Sequence, residues 1–207
     1  MNYPKFEIAF WHPFGPHGDE DTKEIIERKC KEIVANKWTL WSFRHRLMLE
    51  DWHRELLSAK QNAVFVFCSD SPNAVDPALV EGSLSKPIHC QSYRFVGGKD
   101  TQWKPMPAGV SVPHPFRPSK EQKLASAFVV KRIIFPVKPF DGPEVEWFSL
   151  NKGPCRWCQE KIPTRGEYLI RPGGEIAMRS VRAVLELKPP YLAIVTTDKA
   201  DSIGISN

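Results

Sequence analysis

Helical periodicity is confined to roughly the first third of this chain, and strand-like patterns take over from there. "EDTKEIIERKCKEIVANK" sets Ile26, Cys30, Ile33 and Val34 on one helical face, with Asp19 or Asp21 as N-cap and Asn36 as the stop. "LEDWHRELLSA" repeats the spacing with Leu49, Trp52, Leu56 and Leu57. Around these lie the strand candidates "KFEIAFW", "WTLWSF" and "NAVFVFCS", followed by "SAFVVKRIIFPV", "EVEWFSL", "GEYLIRP", "RSVRAVLELK" and "YLAIVTT". Elements segregated in this way imply an α+β fold, with a curved antiparallel sheet or small β-barrel flanked by two helices. Residues 1–207 read as a single domain, interrupted by a loop-rich insert at about 72–118, a stretch long enough to expect function in it.

Charge and cysteine usage narrow the setting. A formal net charge of +5 favours anionic partners. Five cysteines, an odd number, with no basic and apolar leader in "MNYPKFEIAF", point to reduced thiols and a cytoplasmic protein. The longest clean apolar run, "AVFVFC", is too short to cross a bilayer, so no membrane partner is expected.

The pentapeptide "HPFGP", His12 to Pro16, returns as "HPFRP", His114 to Pro118. A residue before proline is pushed towards an extended conformation. Both histidines are therefore expected at stiff loop starts, with Phe14 and Phe116 as anchors, on one rim of the fold; the plainer alternative is a chance echo between two unrelated turns in a proline-rich chain. The first loop, "WHPFGPHGDED", also offers His12, His17, Asp19 and Glu20 as metal ligands or as acid and base. Acidic residues at a helix N-terminus have a simpler role there, favoured by the dipole alone.

Two motifs suggest metal chemistry. "PCRWC" matches half of a zinc-deaminase signature, and His53-Arg54-Glu55 supplies an H-x-E. Pro163 and Gly166, however, forbid the long helix that should follow the cysteine pair. "CRWCQEKIPTRGEYL" is similar instead to the opening hairpin of treble-clef zinc fingers. A closed zinc site needs four ligands, which would be Cys155, Cys158, His89 and Cys90. Two free thiols in a turn are the plainer alternative. Separately, Glu186-Leu187-Lys188 resembles the E-x-K half of a PD-(D/E)xK nuclease core, with Asp141 or Glu175 as second carboxylate. Alternating charge on the outer face of an edge strand explains the same residues without chemistry.

The last pattern interleaves aromatic and basic residues. Trp38 and Trp41 precede Arg44, His45 and Arg46; Arg156 adjoins Trp157; Tyr93 and Phe95 flank Arg94. Bases stack on aromatic faces and phosphates pair with arginine, which suits single-stranded or extruded nucleotides. Alternation puts Trp38 and Leu40 on one face of a strand and Trp41 on the other.

A short strand, a helix, a Trp-rich strand, a second helix, "VFVFCS" and then a run of strands resembles the PUA-like superfamily, which includes the ASCH and EVE domains. The resemblance lies in element order and aromatic content, and it implies a small β-barrel with flanking helices that binds RNA or modified DNA bases. It carries over no particular binding residue.

The expectation is a nucleic-acid-binding protein, for DNA or RNA, that recognises single-stranded or modified bases in an aromatic cleft. The expected contacts are His12, His17, Trp38, Trp41, Arg44, Arg46, His114, Arg117, Arg156 and Trp157. The rivals are a metal-dependent nuclease or other small hydrolase, and a protein–protein interaction module using the Trp-rich surface.

Overall fold

Two apolar runs, β1 (Ala9–Phe14) and β3 (Phe65–Asp70), lie side by side in parallel, with Phe10 opposite Val66 and Phe14 opposite Asp70. Parallel neighbours cannot be joined by a hairpin; they need a crossover. Here the crossover holds α1 (Thr22–Asn36), β2 (Thr39–Phe43) and α2 (Leu49–Ser58). The computed structural model describes residues 4–15, 17, 20–43, 49–70, 87–97, 100–115, 123–136, 138–149, 157–159, 166–177 and 180–203. Within them follow β4 (Ser92–Phe95), β5 (Lys104–Pro105), β6 (Leu124–Ile134), β7 (Glu144–Phe148), β8 (Trp157–Cys158), β9 (Tyr168–Ala177), β10 (Val181–Thr196) and the short α3 (Ala200–Ile203).

Among the described residues these ten strands form one mixed sheet, ordered β2-β6-β10-β3-β1-β9-β7-β8, with β4 pairing β10 and β5. The sheet is open, and three helices accompany it. The expected barrel, or curved antiparallel sheet flanked by two helices, is therefore overturned, and the PUA-like barrel with it. The physical reason lies in β1 and β3. Both are buried along nearly their whole length, which suits strands covered on both faces inside a mixed sheet rather than a barrel wall with a wet outer side.

β10 binds the sheet together. Val181–Glu186 pair with β3, Ala193–Thr196 pair with β4, and β6 runs along the other side of both halves. Pro189 and Pro190 fall at the register shift between Leu187 and Leu192, where the strand changes neighbour and no amide donor is needed. "RSVRAVLELK" and "YLAIVTT" are thus one bent strand, not two.

Alternation divides the core by face. Phe10, Phe14, Trp41, Phe43, Val66, Phe128 and Leu185 share a cluster with Ile25 and Ile26 of α1 and Leu49, Trp52 and Leu56 of α2, so both helices cover that face. On the opposite face, Trp11, Phe67, Trp147 and Ile170 form one cluster towards β7, and Leu40, Tyr93, Val112 and Val129 form another towards β4.

The helices differ from expectation in one instructive way. Asp21 caps α1 in a capping box, accepting from the Glu24 amide while the Glu24 carboxylate accepts from its own. Yet α1 buries Ile25, Ile26, Lys29 and Glu32, while Cys30 is exposed and Val34 is 75% exposed. The apolar stripe read from the sequence is rotated because a charged pair occupies the inner face. In α2, Leu49, Trp52 and Leu56 point inward and Leu57 faces solvent.

Candidate functional site

His12 does not open a loop. β1 runs through it to Phe14, with His12 opposite Cys68 and Pro13 opposite Ser69. The extended bias before proline is satisfied inside a strand. Pairing with β9 covers Ala9–Trp11 and stops short of Pro13, so the missing amide falls where β9 asks for none. His12 is 5% exposed and lies on the helix side, its ring edge-on to Trp41 and Phe128. Trp41 Nε1 donates to His12 Nε2 at 3.2 Å, which places the imidazole proton on Nδ1. Nδ1 lies 3.2 Å from Glu167 Oε1, outside hydrogen-bond alignment. A histidine whose Nε2 lone pair is taken by an indole, and which is closed off from water, is held as part of the core.

The second copy is held from the other side of the sheet. Ser42 Oγ donates to Pro113 O at 2.7 Å, and His114, 2% exposed, has Nε2 at 3.1 Å from Lys123 O. Trp41 and Ser42 are adjacent on β2 and face opposite ways. The two motifs therefore reach one edge strand from opposite faces and do not line a shared rim. Arg117 lies outside the described residues, as do Phe116, Asp19, Arg44, Arg46, Cys155 and Arg156. His17 is half-buried, bridged to Glu20 by two backbone hydrogen bonds, and Glu20 is itself engaged by Arg28.

Of the expected zinc ligands, the described ones, Cys90, Cys158 and His89, are not gathered. Cys90 belongs to the cluster with Tyr93 and Val112, and Cys158 to the cluster with Val145 and Trp147 on β7. His89 is exposed, with Nδ1 2.9 Å from Ser111 Oγ. Burial pushes the Cys90 thiol up to about 12, against the opposing pull of the Lys29 charge, so the thiolate a metal needs is disfavoured. Among the described residues, no group of three or more His, Cys, Asp or Glu could hold a metal ion. On α2, His53 packs against Gly97, whose absent Cβ would sit 2.2 Å from the ring.

Glu186 is not on an edge strand, since β10 lies between β6 and β3. Its carboxylate takes Lys131 at 2.9 Å and Arg132 at 2.7 Å. That is a carboxylate flanked by two cations, not a pair of carboxylates prepared for Mg²⁺. Trp157 is half-buried, packed edge-on against Phe148, and Arg171 lies 4.4 Å from its ring centre. Arg171 is fixed in turn by Glu146, at 2.7 and 2.6 Å. Gln159 and Arg171 together hold the Glu146 carboxyl below its ordinary value. That face of Trp157 is already covered.

One constellation was not foreseen, and a second brings together residues that the sequence pointed to separately. The first joins α1 to the segment before His114. Lys29 Nζ donates to Glu32 Oε2 at 2.8 Å, to Ser111 O at 2.6 Å and to Thr39 Oγ1 at 3.3 Å, so all three ammonium hydrogens are used. Thr39 donates to Glu32 Oε2, and the Ser111 amide donates to Glu32 Oε1. Arg28 closes the network on Glu32, Ser111 O and, with two bonds of 2.6 Å, Glu20. Desolvation lowers Lys29 to about 8 despite Glu32. The i,i+3 and i,i+4 spacing of Arg28, Lys29 and Glu32 was the available signal.

The second is on the β4–β5 ribbon. Trp38, following the left-handed Lys37 that ends α1, packs against Tyr93 at 5.6 Å and Phe95 at 6.0 Å. Trp38 and Phe95 are half-buried, as Trp157 is. Arg94 points the other way, 5.4 Å from the Trp103 ring centre, and Lys104 pairs with Asp100. No helix among the described residues is long and apolar enough to cross a membrane. No protein-family model, curated protein or solved structure matches this chain.

Proposed function

We propose that the chain binds nucleic acid, DNA or RNA, through single-stranded or unstacked bases. The observation that carries this reading is the half-buried aromatic pair of Trp38 and Phe95, packed with buried Tyr93 against a ribbon that also holds Arg94 and Lys104. Aromatic faces accept any base by stacking, and a net charge of +5 favours a polyanion. His12, Trp41 and His114 support the scaffold from within and make no direct contact in this reading. The test is fluorescence anisotropy with labelled single-stranded DNA, single-stranded RNA and duplex at about 50 and 200 mM salt, a range over which phosphate contacts lose much of their affinity. Micromolar or tighter binding to single strands that weakens with salt is expected. No binding to any of the three at the lower salt overturns the proposal and favours a protein partner for the aromatic surface.

A further inference from the structure

The described arginines fall into two groups. Arg28 is bonded to Glu20 and Glu32, Arg54 to Asp51, Arg132 to Glu186, Arg171 to Glu146 and Arg182 to Asp70. Arg94 is the exception. No carboxylate or carbonyl among the described residues bonds its guanidinium, and its Nε is buried without a hydrogen-bond partner. The carboxylate six residues on, Asp100, is occupied by Lys104. Leaving a buried donor unpaired has a cost, and the cost is larger for a charged group.

Arg94 is nevertheless held in place. It sits on β4 directly across from Ile194 of β10, so its backbone is fixed by the sheet. Its guanidinium lies over the half-buried Trp103, which itself packs against the main core. This cation–π contact holds the group against the ring; Nε is buried, and the donors left for an outside ligand are the terminal amino groups, which no described residue accepts from. A guanidinium held in this way, half-buried, with terminal N–H donors that nothing among the described residues accepts, on the strand that also carries Phe95, has the chemistry of a phosphate receptor.

We propose that Arg94, positioned by Trp103, is the phosphate contact for a single-stranded nucleic acid whose bases stack on Trp38 and Phe95. This rests on the nucleic-acid reading and adds to it a named anchor and a strand class. The rings and Arg94 project from opposite faces of one ribbon, so the strand passes over the ribbon's edge rather than along one face.

The experiment measures anisotropy of a labelled single-stranded oligonucleotide against wild type, Arg94→Gln, Arg94→Lys and Arg171→Gln, each at several salt concentrations and each checked by thermal melting. Arg94→Gln is expected to weaken binding about tenfold and to make the slope of log K against log salt shallower by about 0.7, the value for one phosphate contact on a single strand. Arg94→Lys should restore the slope but not all of the affinity, because the stacked, forked geometry is lost. Arg171→Gln removes the same charge from a guanidinium already occupied by Glu146 and should leave affinity within twofold. If wild type binds no oligonucleotide, the nucleic-acid reading fails and this inference with it. If wild type binds and Arg94→Gln matches it, only the assignment of Arg94 fails. An equal loss in Arg171→Gln also overturns the assignment, since net charge would then explain both.

Discussion

Lys29 and Arg94 are the two cations that say most about this molecule, and they differ in one respect. Lys29 is almost wholly buried, and each of its three hydrogens has an acceptor. Arg94 is half-buried, lies 5.4 Å from the Trp103 ring centre, and neither its buried Nε nor its terminal amino groups have an acceptor among the described residues. A saturated buried cation fastens one part of a fold to another; here it ties α1 to the segment around Ser111. An oriented cation with spare donors can bind something from outside. Burial alone would have ranked the two the other way, because Lys29 is the more deeply buried. Hydrogen-bond saturation separates support from availability.

The largest effect should come from breaking the saturated network on its acidic side. Glu32→Ala leaves Lys29 without its counter-ion in the interior, and removing one partner of a buried pair costs about 3–5 kcal/mol. Lys29→Met should cost about 1 kcal/mol or less, because it removes the charge whose desolvation is unfavourable. Glu32 would still be bonded by Arg28, Thr39 and the Ser111 amide. Urea denaturation of the two variants checks the asymmetry, and equal losses would show that the pair acts as a unit. Lys29 also implies a pH dependence. Below about pH 8 both folded and unfolded chains carry its proton, and the full penalty of burying the charge weighs on the fold. Between there and the ordinary lysine value of 10.5, the unfolded chain holds the proton and the folded one sheds it. Stability relative to Lys29→Met should therefore rise with pH across that window.

A second, smaller perturbation probes the end of the ribbon that carries Arg94. Gly97 has φ +76°, and a Cβ there would meet the His53 ring at 2.2–2.8 Å. Gly97→Ala combines left-handed strain with displacement of His53 and should cost about 1–3 kcal/mol. Adding His53→Ala relieves the contact and should return the loss to about 1–2 kcal/mol, the backbone share alone. A double variant no better than Gly97→Ala would mean that the ring moves aside at no cost.

Local features of this fold could be read from the sequence where short-range chemistry decides them. The N-cap of α1, narrowed to Asp19 or Asp21, the α2 stripe through Leu49, Trp52 and Leu56 though not Leu57, and the opposite facing of Trp38 and Trp41 each follow from spacing within one element. Which strands become neighbours does not. The parallel pairing of β1 with β3 depends on a crossover and on burial of both faces; the continuous apolar run "AVFVFC" hinted at it, yet an antiparallel strand could carry the same run. His12 was expected in a loop because prolines punctuate its segment, but a strand tolerates proline where no partner requires its amide. Glu186 was placed on an outer edge because β10 looked like two short strands, when Pro189 and Pro190 only bend one. Lys29 and Glu32 looked like solvated helix charges, since nothing local reveals that Ser111, some eighty residues on, supplies a carbonyl and an amide to them. For the candidate site, aromatic and basic residues were legible as a composition. That Trp157 is covered by Arg171 while Trp38 packs against Tyr93 and Phe95 is a matter of tertiary partners.

The smallest predicted effects on stability are the ones that sharpen the contrast most, because they should rank opposite to the effects on binding. Arg171 makes two short bonds to Glu146 and covers Trp157, on side chains that are 43% and 13% exposed. Partial exposure screens such a pair, so Arg171→Gln should cost only about 1 kcal/mol. Arg94 makes no such bond. Arg94→Gln loses its stacking on Trp103 but also removes a buried, unpaired donor, and the two terms oppose each other. The net change should lie within about 0.5 kcal/mol. Parallel melting curves would show it as a shift near the scatter of replicates for Arg94→Gln and a clear lowering for Arg171→Gln. Should Arg94→Gln prove the more damaging of the two, its guanidinium supports the fold after all, and the distinction between occupied and available arginines drawn from their hydrogen bonds would not hold.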